Sequence, residues 1–496
     1  MPIKDKLVVF LEENRAHFMS LTERARSSSI FIKKFILYKK AIKLAVRGSV
    51  GVYASPDIED FFISVANKFK VELSQSYEEK SILHVVSECY GVGGHSKVVE
   101  RWIKYHAPGE KHSIYFTRMK KNKIDDVFFR SVMETCGKIY TGEHHLFDIS
   151  NALYLRCIAM RYERVILHTH MDDIIPLIAF GSEQFKRTVI LYNHADHLFW
   201  LGANISHLIC ETRSWGMTFS KKYRGISENI VLGIPNSNDL DTRNVLNIRR
   251  RNDIKVITSI GMPHKFLVIP GEFSFQDYMV AILESRDDVI FNIIGPTLSD
   301  YPEWLPLVNY YGDRVKVHGK LMGNKYRNCL KDSDLVIDSF PMSGGTALSD
   351  VVESGMVTLS LRCVTGHLDY TYDTESYCAT PEELIDKTHR LLDDTKYREH
   401  VSQSSFEVFS KYQNLILWQL KVRNAYKLAD GNRKAGVKNT LRVGGAELSL
   451  LDKFIFLFNA KPRLLYSIGD IVKLSTYFKN GRRRFKISLF KLNVII

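Results

Sequence analysis

The sequence predicts an α/β protein built from two doubly wound domains with parallel sheets. Short apolar, β-branched runs alternate with helical stretches, and these runs form two series divided by a turn-rich and then charged segment. Small-residue loops also follow the strand ends, where open sheets of this kind bind ligands. With 496 residues, 45% hydrophobic and 25% charged, the chain is long enough for two large cores and apolar enough to fill them.

Residues 1–80 read as a helical, basic N-terminal extension. Phe10, Leu11, Phe18 and Leu21, then Phe31, Ile32, Phe35 and Ile36, recur at three- and four-residue spacings. From Ser81 the pattern changes to strands, expected at Ile82–Val86, Ser113–Phe116, Val165–His168, Val189–Tyr192, Leu208–Cys210 and Ile230–Leu232. They define a first domain over 81–245, closed by the turn residues Gly233 to Asn238 and the charged link Arg249–Asp253. A second domain, 246–405, carries expected strands at Val256–Ile260, Val289–Ile294, Val315–Val317, Leu335–Ile337 and Thr358–Leu361. A helix over 406–430 has Leu415, Trp418 and Val422 on one face, and 431–496 reads as a basic amphipathic tail.

A net charge of +14 implies an anionic partner: nucleic acid, acidic lipid or a phosphorylated substrate. The tail holds Lys461, Arg463, Lys473, Lys479, Arg482, Arg483, Arg484, Lys486 and Lys491, interleaved with Leu464, Tyr466, Phe478, Phe485 and Phe490. That mixture suits an anionic membrane surface, the alternative being a solvated basic tail. No aromatic-and-basic stacking surface or known module supports nucleic acid as a partner. No apolar run reaches the roughly 18 residues that span a bilayer, and the first residues do not lead into a signal-peptide core. The expectation is a cytoplasmic protein, peripheral on the inner face of the plasma membrane. Seven scattered cysteines without a CxxC pair predict reduced thiols.

Chemistry concentrates at strand ends. After Leu335–Ile337 the loop Ser343-Gly344-Gly345-Thr346 opens a helix, where glycine backbone and a helix N-terminus suit a phosphate. Asp350, one turn into that helix, is placed to accept hydrogen bonds from ribose hydroxyls; otherwise the segment is a tight turn with Asp350 on the helix dipole. Lys265, just past Val256–Ile260, is a candidate for fixed positive charge on a departing diphosphate, or else a solvated lysine. The loop Gly91-Val92-Gly93-Gly94-His95-Ser96 misses the dinucleotide spacing, so Gly93, Gly94 and His95 are expected to form a cleft loop, not a nicotinamide site. His168-Thr169-His170 and His194-Ala195-Asp196-His197 provide candidate bases, His194, Asp196 and His170. The same residues could instead bind metal or satisfy core hydrogen bonds; no metal and no cofactor are assigned.

Over about Ser81 to Tyr426 the chain resembles the GT-B superfamily of glycosyltransferases, with Phe340–Gly355 most similar to the O-GlcNAc-transferase-like branch and to bacterial surface-polysaccharide transferases. The resemblance implies two facing Rossmann-like domains, the first on the acceptor side and the second holding a nucleotide sugar. It implies that Thr346 touches diphosphate, that Asp350 holds the donor ribose, and that the 406–430 helix crosses back to the first domain. Where the retaining branch usually shows two glutamates, Met342 and Asp350 stand here, which favours inversion. The implied partners are a UDP-linked nucleotide sugar and a glycan or polyprenyl-diphosphate-linked acceptor in O-antigen, capsule or related synthesis. Protein glycosylation and a non-catalytic nucleic-acid-binding or scaffold role are the alternatives.

Overall fold

The computed structural model describes residues 3–72, 76–89, 94–235, 254–299, 304–441 and 449–459. The chain forms two compact units. One comprises Glu13–Asn238 and Gln413–Glu447; the other comprises Met1–Glu12, Asp239–Tyr412 and Leu448–Ile496.

The first unit is organised on a seven-stranded parallel sheet. Its strands are β1 (Glu78–Val86), β2 (Lys111–Phe116), β3 (Ile139–Thr141), β4 (Tyr162–His168), β5 (Thr188–Asn193), β6 (Leu208–Glu211) and β7 (Asn229–Val231), in the order β3-β2-β1-β4-β5-β6-β7. Strand order reverses between β1 and β4, which makes the carboxyl ends of those strands the expected ligand crevice. Register sets them level, Val86 pairing with both Phe116 and His168. β3 has no counterpart in the sequence reading because a three-residue, half-buried strand lacks an apolar run.

One face of this sheet buries Ile82, Ile166, Ile190 and Leu208 against Val98 and Trp102 and against Trp418, Val422 and Tyr426 of the helix Leu415–Lys434. That helix starts where the Asn414 side chain accepts the N–H groups of Ile416 and Leu417. The expected single helix from 406 is therefore two: residues 406–412 finish the helix Thr395–Tyr412 of the other unit. Asp430 holds Leu415–Lys434 to the sheet by accepting from Arg164 at 2.7 Å and Thr188 at 2.6 Å.

The helix Pro56–Lys68, before β1, is built into this unit by two fully buried ionisable side chains. Glu59, on the helix Pro56–Lys68, accepts the backbone N–H groups of Gly202, Ala203 and Asn204 at 2.6, 3.1 and 2.7 Å. Arg156 donates to the carbonyls of Ala66, Phe69, Ile178 and Ala179, satisfying the open ends of two helices. Glu59→Ala leaves three buried donors unpaired and is expected to destabilise this unit by about 3 kcal/mol, read as a fall in its urea midpoint.

The second unit carries a six-stranded parallel sheet: β8 (Lys255–Ile260), β9 (Val289–Ile294), β10 (Val315–Gly319), β11 (Leu335–Asp338), β12 (Thr358–Leu361) and β13 (Tyr377–Cys378), in the order β10-β9-β8-β11-β12-β13. Here the order reverses between β8 and β11. Ile257, Phe291, Ile293, Leu335, Ile337 and Leu359 pack on Phe275, Tyr278, Met279, Trp304, Leu384 and Leu391. The Asp332-Ser333-Asp334 stretch is structural: Asp334 accepts the Val256 N–H at 2.8 Å and so anchors the start of β8. Within this unit the helix Leu450–Asn459 packs its Phe456 on Phe10. Residues 431–441 and 449–459 of the expected tail are described, whereas its basic positions Lys461 to Lys491 lie outside the described residues. Among the described residues no helix is long and apolar enough to cross a membrane.

Candidate functional site

In the second unit, the loops that follow β8 and β11 meet at the point of strand reversal. β11 ends on Asp338, which is 3% exposed and accepts the Gly344 N–H at 2.6 Å. The loop is thus folded back on the carboxylate of its own strand, with His367 Nδ1 a further 3.5 Å from Asp338. A Cβ at Gly344 would lie 2.9 Å from that carboxylate, so the close approach needs glycine. Gly345, at φ +60 and ψ −116, sits at the N-cap of the helix Thr346–Glu353, and nothing lies within 4 Å of where its Cβ would be. Its glycine requirement is conformational, and Gly345→Ala is expected to destabilise the unit by about 1–3 kcal/mol, read as a fall in its urea midpoint.

Lys265 reaches this loop from the turn Pro263–Phe266 after β8. Its Nζ donates to the carbonyls of Ser343 at 2.8 Å and Gly344 at 2.9 Å. The ammonium is therefore held beside the helix N-terminus, where its charge adds to that of the helix dipole. Thr346 opens the helix, and Asp350 lies one turn further on, partly exposed. The structure brings Lys265, Gly344, Gly345, Thr346 and Asp350 to one strand edge. That arrangement can hold an anion against backbone N–H groups and a fixed cation, with a carboxylate nearby for hydroxyls.

The first unit carries its polar groups at the carboxyl ends of β1, β4 and β5. His168 ends β4 and His194 follows β5 directly. His168 Nδ1 lies 2.9 Å from His194 Nε2, and the His95 ring lies tilted against that of His194 with centroids 4.0 Å apart. His95 Nε2 is bonded to the His168 carbonyl at 2.9 Å, and the His170 ring lies 5.8 Å from that of His95. Gly94 opens the helix Gly94–Lys104 that presents His95, while Gly93 lies outside the described residues.

The cluster extends into the sheet. His168 Nε2 lies 3.0 Å from His84 Nδ1 on β1, His84 Nε2 lies 2.8 Å from His112 Nδ1 on β2, and His112 Nε2 lies 3.2 Å from Glu110 Oε2. His84, His112 and His168 are 0% exposed. Burial pushes His84, His168 and His194 well below the ordinary histidine value, so these rings are neutral at pH 7. Glu110, His112 and His84 are absent from the sequence reading. Mid-strand histidines carry no local signal, and only the β2-β1-β4-β5 register aligns them.

Asp196 stands apart from that chain. Its two oxygens accept from Arg213 Nε at 2.7 Å and Nη2 at 2.8 Å, with His197 Nδ1 at 3.2 Å. Although burial works the other way, Arg213 and His197 hold its carboxyl below the ordinary range. Such an anion anchors the loop and takes up a proton reluctantly. Among the described residues no three metal-ligand side chains converge. Of the imidazoles that suggested a metal, His168 and His194 bond to each other and His197 bonds to Asp196.

No protein-family model and no curated protein sequence matches the chain. Its fold does have solved counterparts. A mutant of the Thermobaculum terrenum O-GlcNAc transferase is similar with a TM-score of 0.55 at 12% identity, over 82% of this chain and 81% of that one. Sucrose-phosphate synthase from Thermosynechococcus elongatus gives 0.53 at 10% identity, over 71% and 99%. Anabaena HepE in complex with UDP and glucose gives 0.52 at 10% identity, over 70% and 99%. These likenesses, with two parallel, doubly wound sheets in one chain, define the GT-B fold.

Proposed function

We propose that this protein is a glycosyltransferase that moves a sugar from a nucleotide diphosphate sugar, UDP-linked, to a glycan or polyprenyl-diphosphate-linked acceptor in surface polysaccharide synthesis. The observation that carries the reading is Lys265 pinned by the Ser343 and Gly344 carbonyls at the N-terminus of Thr346–Glu353. A fixed cation and a helix end at a strand-reversal crevice suit a diphosphate that gains charge as it leaves. Asp350 takes the donor ribose, Thr346 the diphosphate, and the UDP held by HepE of the same fold supports that choice of base. The positive charge comes from the chain itself, so the reading needs no metal, and a separate base favours inversion.

In the acceptor-side unit we assign the base to His194, with His170 and His95 beside it. The same unit has a cavity of about 550 Å³ lined by five cations, Lys39, Lys43, Arg47, Arg118 and Lys120, and four acids, Glu143, Asp148, Asp172 and Asp173, a mixed-charge polar surface. The basic stretch Lys461 to Lys491 supports placement at an anionic membrane surface.

The test is a thermal-shift panel of UDP-, GDP- and CMP-linked sugars, followed by release of the nucleoside diphosphate with lipid-linked glycan acceptors. A ligand at 100 times its Kd stabilises the native state by about 2.7 kcal/mol, so selective binding of one nucleotide class is visible. No shift with any nucleotide and no acceptor-dependent release overturns the reading.

A further inference from the structure

We propose that His194, His168, His84, His112 and Glu110 form a proton relay that carries the acceptor's hydroxyl proton through the sheet to the opposite strand edge. The inference rests on the transferase reading for its substrate but on geometry alone for the path. Each imidazole presents Nε2 to the Nδ1 of the next ring, at 2.9, 3.0 and 2.8 Å, and the last presents Nε2 to the Glu110 carboxylate at 3.2 Å. An ionised carboxylate only accepts, so His112 carries its proton on Nε2, and one donor per bond then forces the same tautomer on His84, His168 and His194. That leaves Nδ1 of His194, at the partly exposed end of the chain, as the accepting atom. Every internal bond is thus satisfied and the file has a direction.

The transfer balances. As the acceptor oxygen uses an electron pair to bond the anomeric carbon, its proton passes to His194 Nδ1, and the bond from that carbon to the diphosphate breaks with its pair leaving on the nucleoside diphosphate. His194 gives its Nε2 proton to His168, His168 to His84, His84 to His112, and His112 to Glu110. No buried imidazolium has to persist, which matters because burial makes a charged ring costly here. All four rings finish as the Nδ1–H tautomer with the proton held on Glu110, whose side chain is 14% exposed; after the products leave, the reverse shift restores the resting Nε2–H tautomers and releases the proton to solvent at His194 Nδ1.

Other groups face the two ends of the file. At the Glu110 end stand His106, whose ring is 5.7 Å from His112, the Ala107 N–H donating to Glu110 Oε2 at 3.1 Å, and Tyr426 of the returning helix. At the His194 end stand His95, His170 and Tyr192. Trp102 packs edge-on to His84 and His168 and shields the middle. Although burial works the other way, the hydrogen bonds to Glu110 keep its carboxyl below the ordinary value, so the resting relay has an empty acceptor.

The experiment uses the full chain with nitrogen-15 in its histidines. At neutral pH the wild type should show trans-hydrogen-bond N–N couplings for His112–His84, His84–His168 and His168–His194, all four rings as Nε2–H. Acid titration should flip the four rings to Nδ1–H together, with one midpoint. Glu110→Gln keeps a carbonyl oxygen for the His112 N–H but takes no proton: the couplings should persist, the joint flip should vanish, and kcat should fall about tenfold with the donor KM unchanged. Because the carboxylate no longer favours the protonated relay, the acid limb of the rate profile should also move to lower pH. Missing couplings, or four rings titrating independently, overturn the relay whatever the activity. Wild-type kcat and an unmoved acid limb in Glu110→Gln overturn its part in transfer. Absence of sugar transfer by wild type, with a joint flip intact, instead overturns the transferase reading.

Discussion

Lys265→Ala is expected to lower kcat for sugar transfer by about 10²- to 10³-fold in a protein that remains folded. The ammonium is already in place, bonded to two loop carbonyls, so no reorganisation is needed when negative charge develops on the diphosphate. A preorganised charge of this kind acts on the transition state more than on the bound donor. The measurement is single-turnover release of nucleoside diphosphate alongside donor affinity by calorimetric titration. If Lys265 only props the Ser343–Gly344 turn, donor binding weakens while the rate at saturation is preserved. That outcome would remove Lys265 from the chemistry. Lys265→Arg, which keeps the charge but not its compact shape, should recover part of the lost rate.

His194→Gln is expected to cost about 10²- to 10⁴-fold in kcat, the range of a lost general base. The acid limb of the rate profile should disappear with it, because that limb reports protonation of the accepting nitrogen. Asp196→Asn provides the contrast. Replacing the buried carboxylate removes the charge that balances the Arg213 guanidinium, so the expected loss is in stability, with the pH profile of the residual activity unchanged. Near-normal turnover in His194→Gln would transfer the base to His170 or His95. The same buried rings affect folding. The unfolded chain takes up protons near pH 6.5, while the native His84, His168 and His194 resist them, so stability is full above that pH and declines as the pH falls below it.

Much of this architecture was legible in the residues. All eleven expected strands lie where the structure has strands; among the described residues two more occur, β3 and β13, three and two residues long. The phosphate-type loop was also readable, because Gly344 and Gly345 between a buried strand and a helix are a local signal. The break at Asn414 was less visible: apolar periodicity continues across it, and only the side-chain cap marks a new helix start.

The sequence by itself determined the periodicities, the two strand series and the residues at their carboxyl ends, since each depends on neighbours within a few positions. Only the tertiary structure decided what those residues do to one another. Asp196 and His194, two positions apart, look equivalent as bases; one is bound by Arg213, the other ends a file of imidazoles. His84 is 28 residues from His112 and 84 from His168 in sequence. Parallel pairing brings them within hydrogen-bond distance because register, set by the packing of whole strands, chooses which side chains meet.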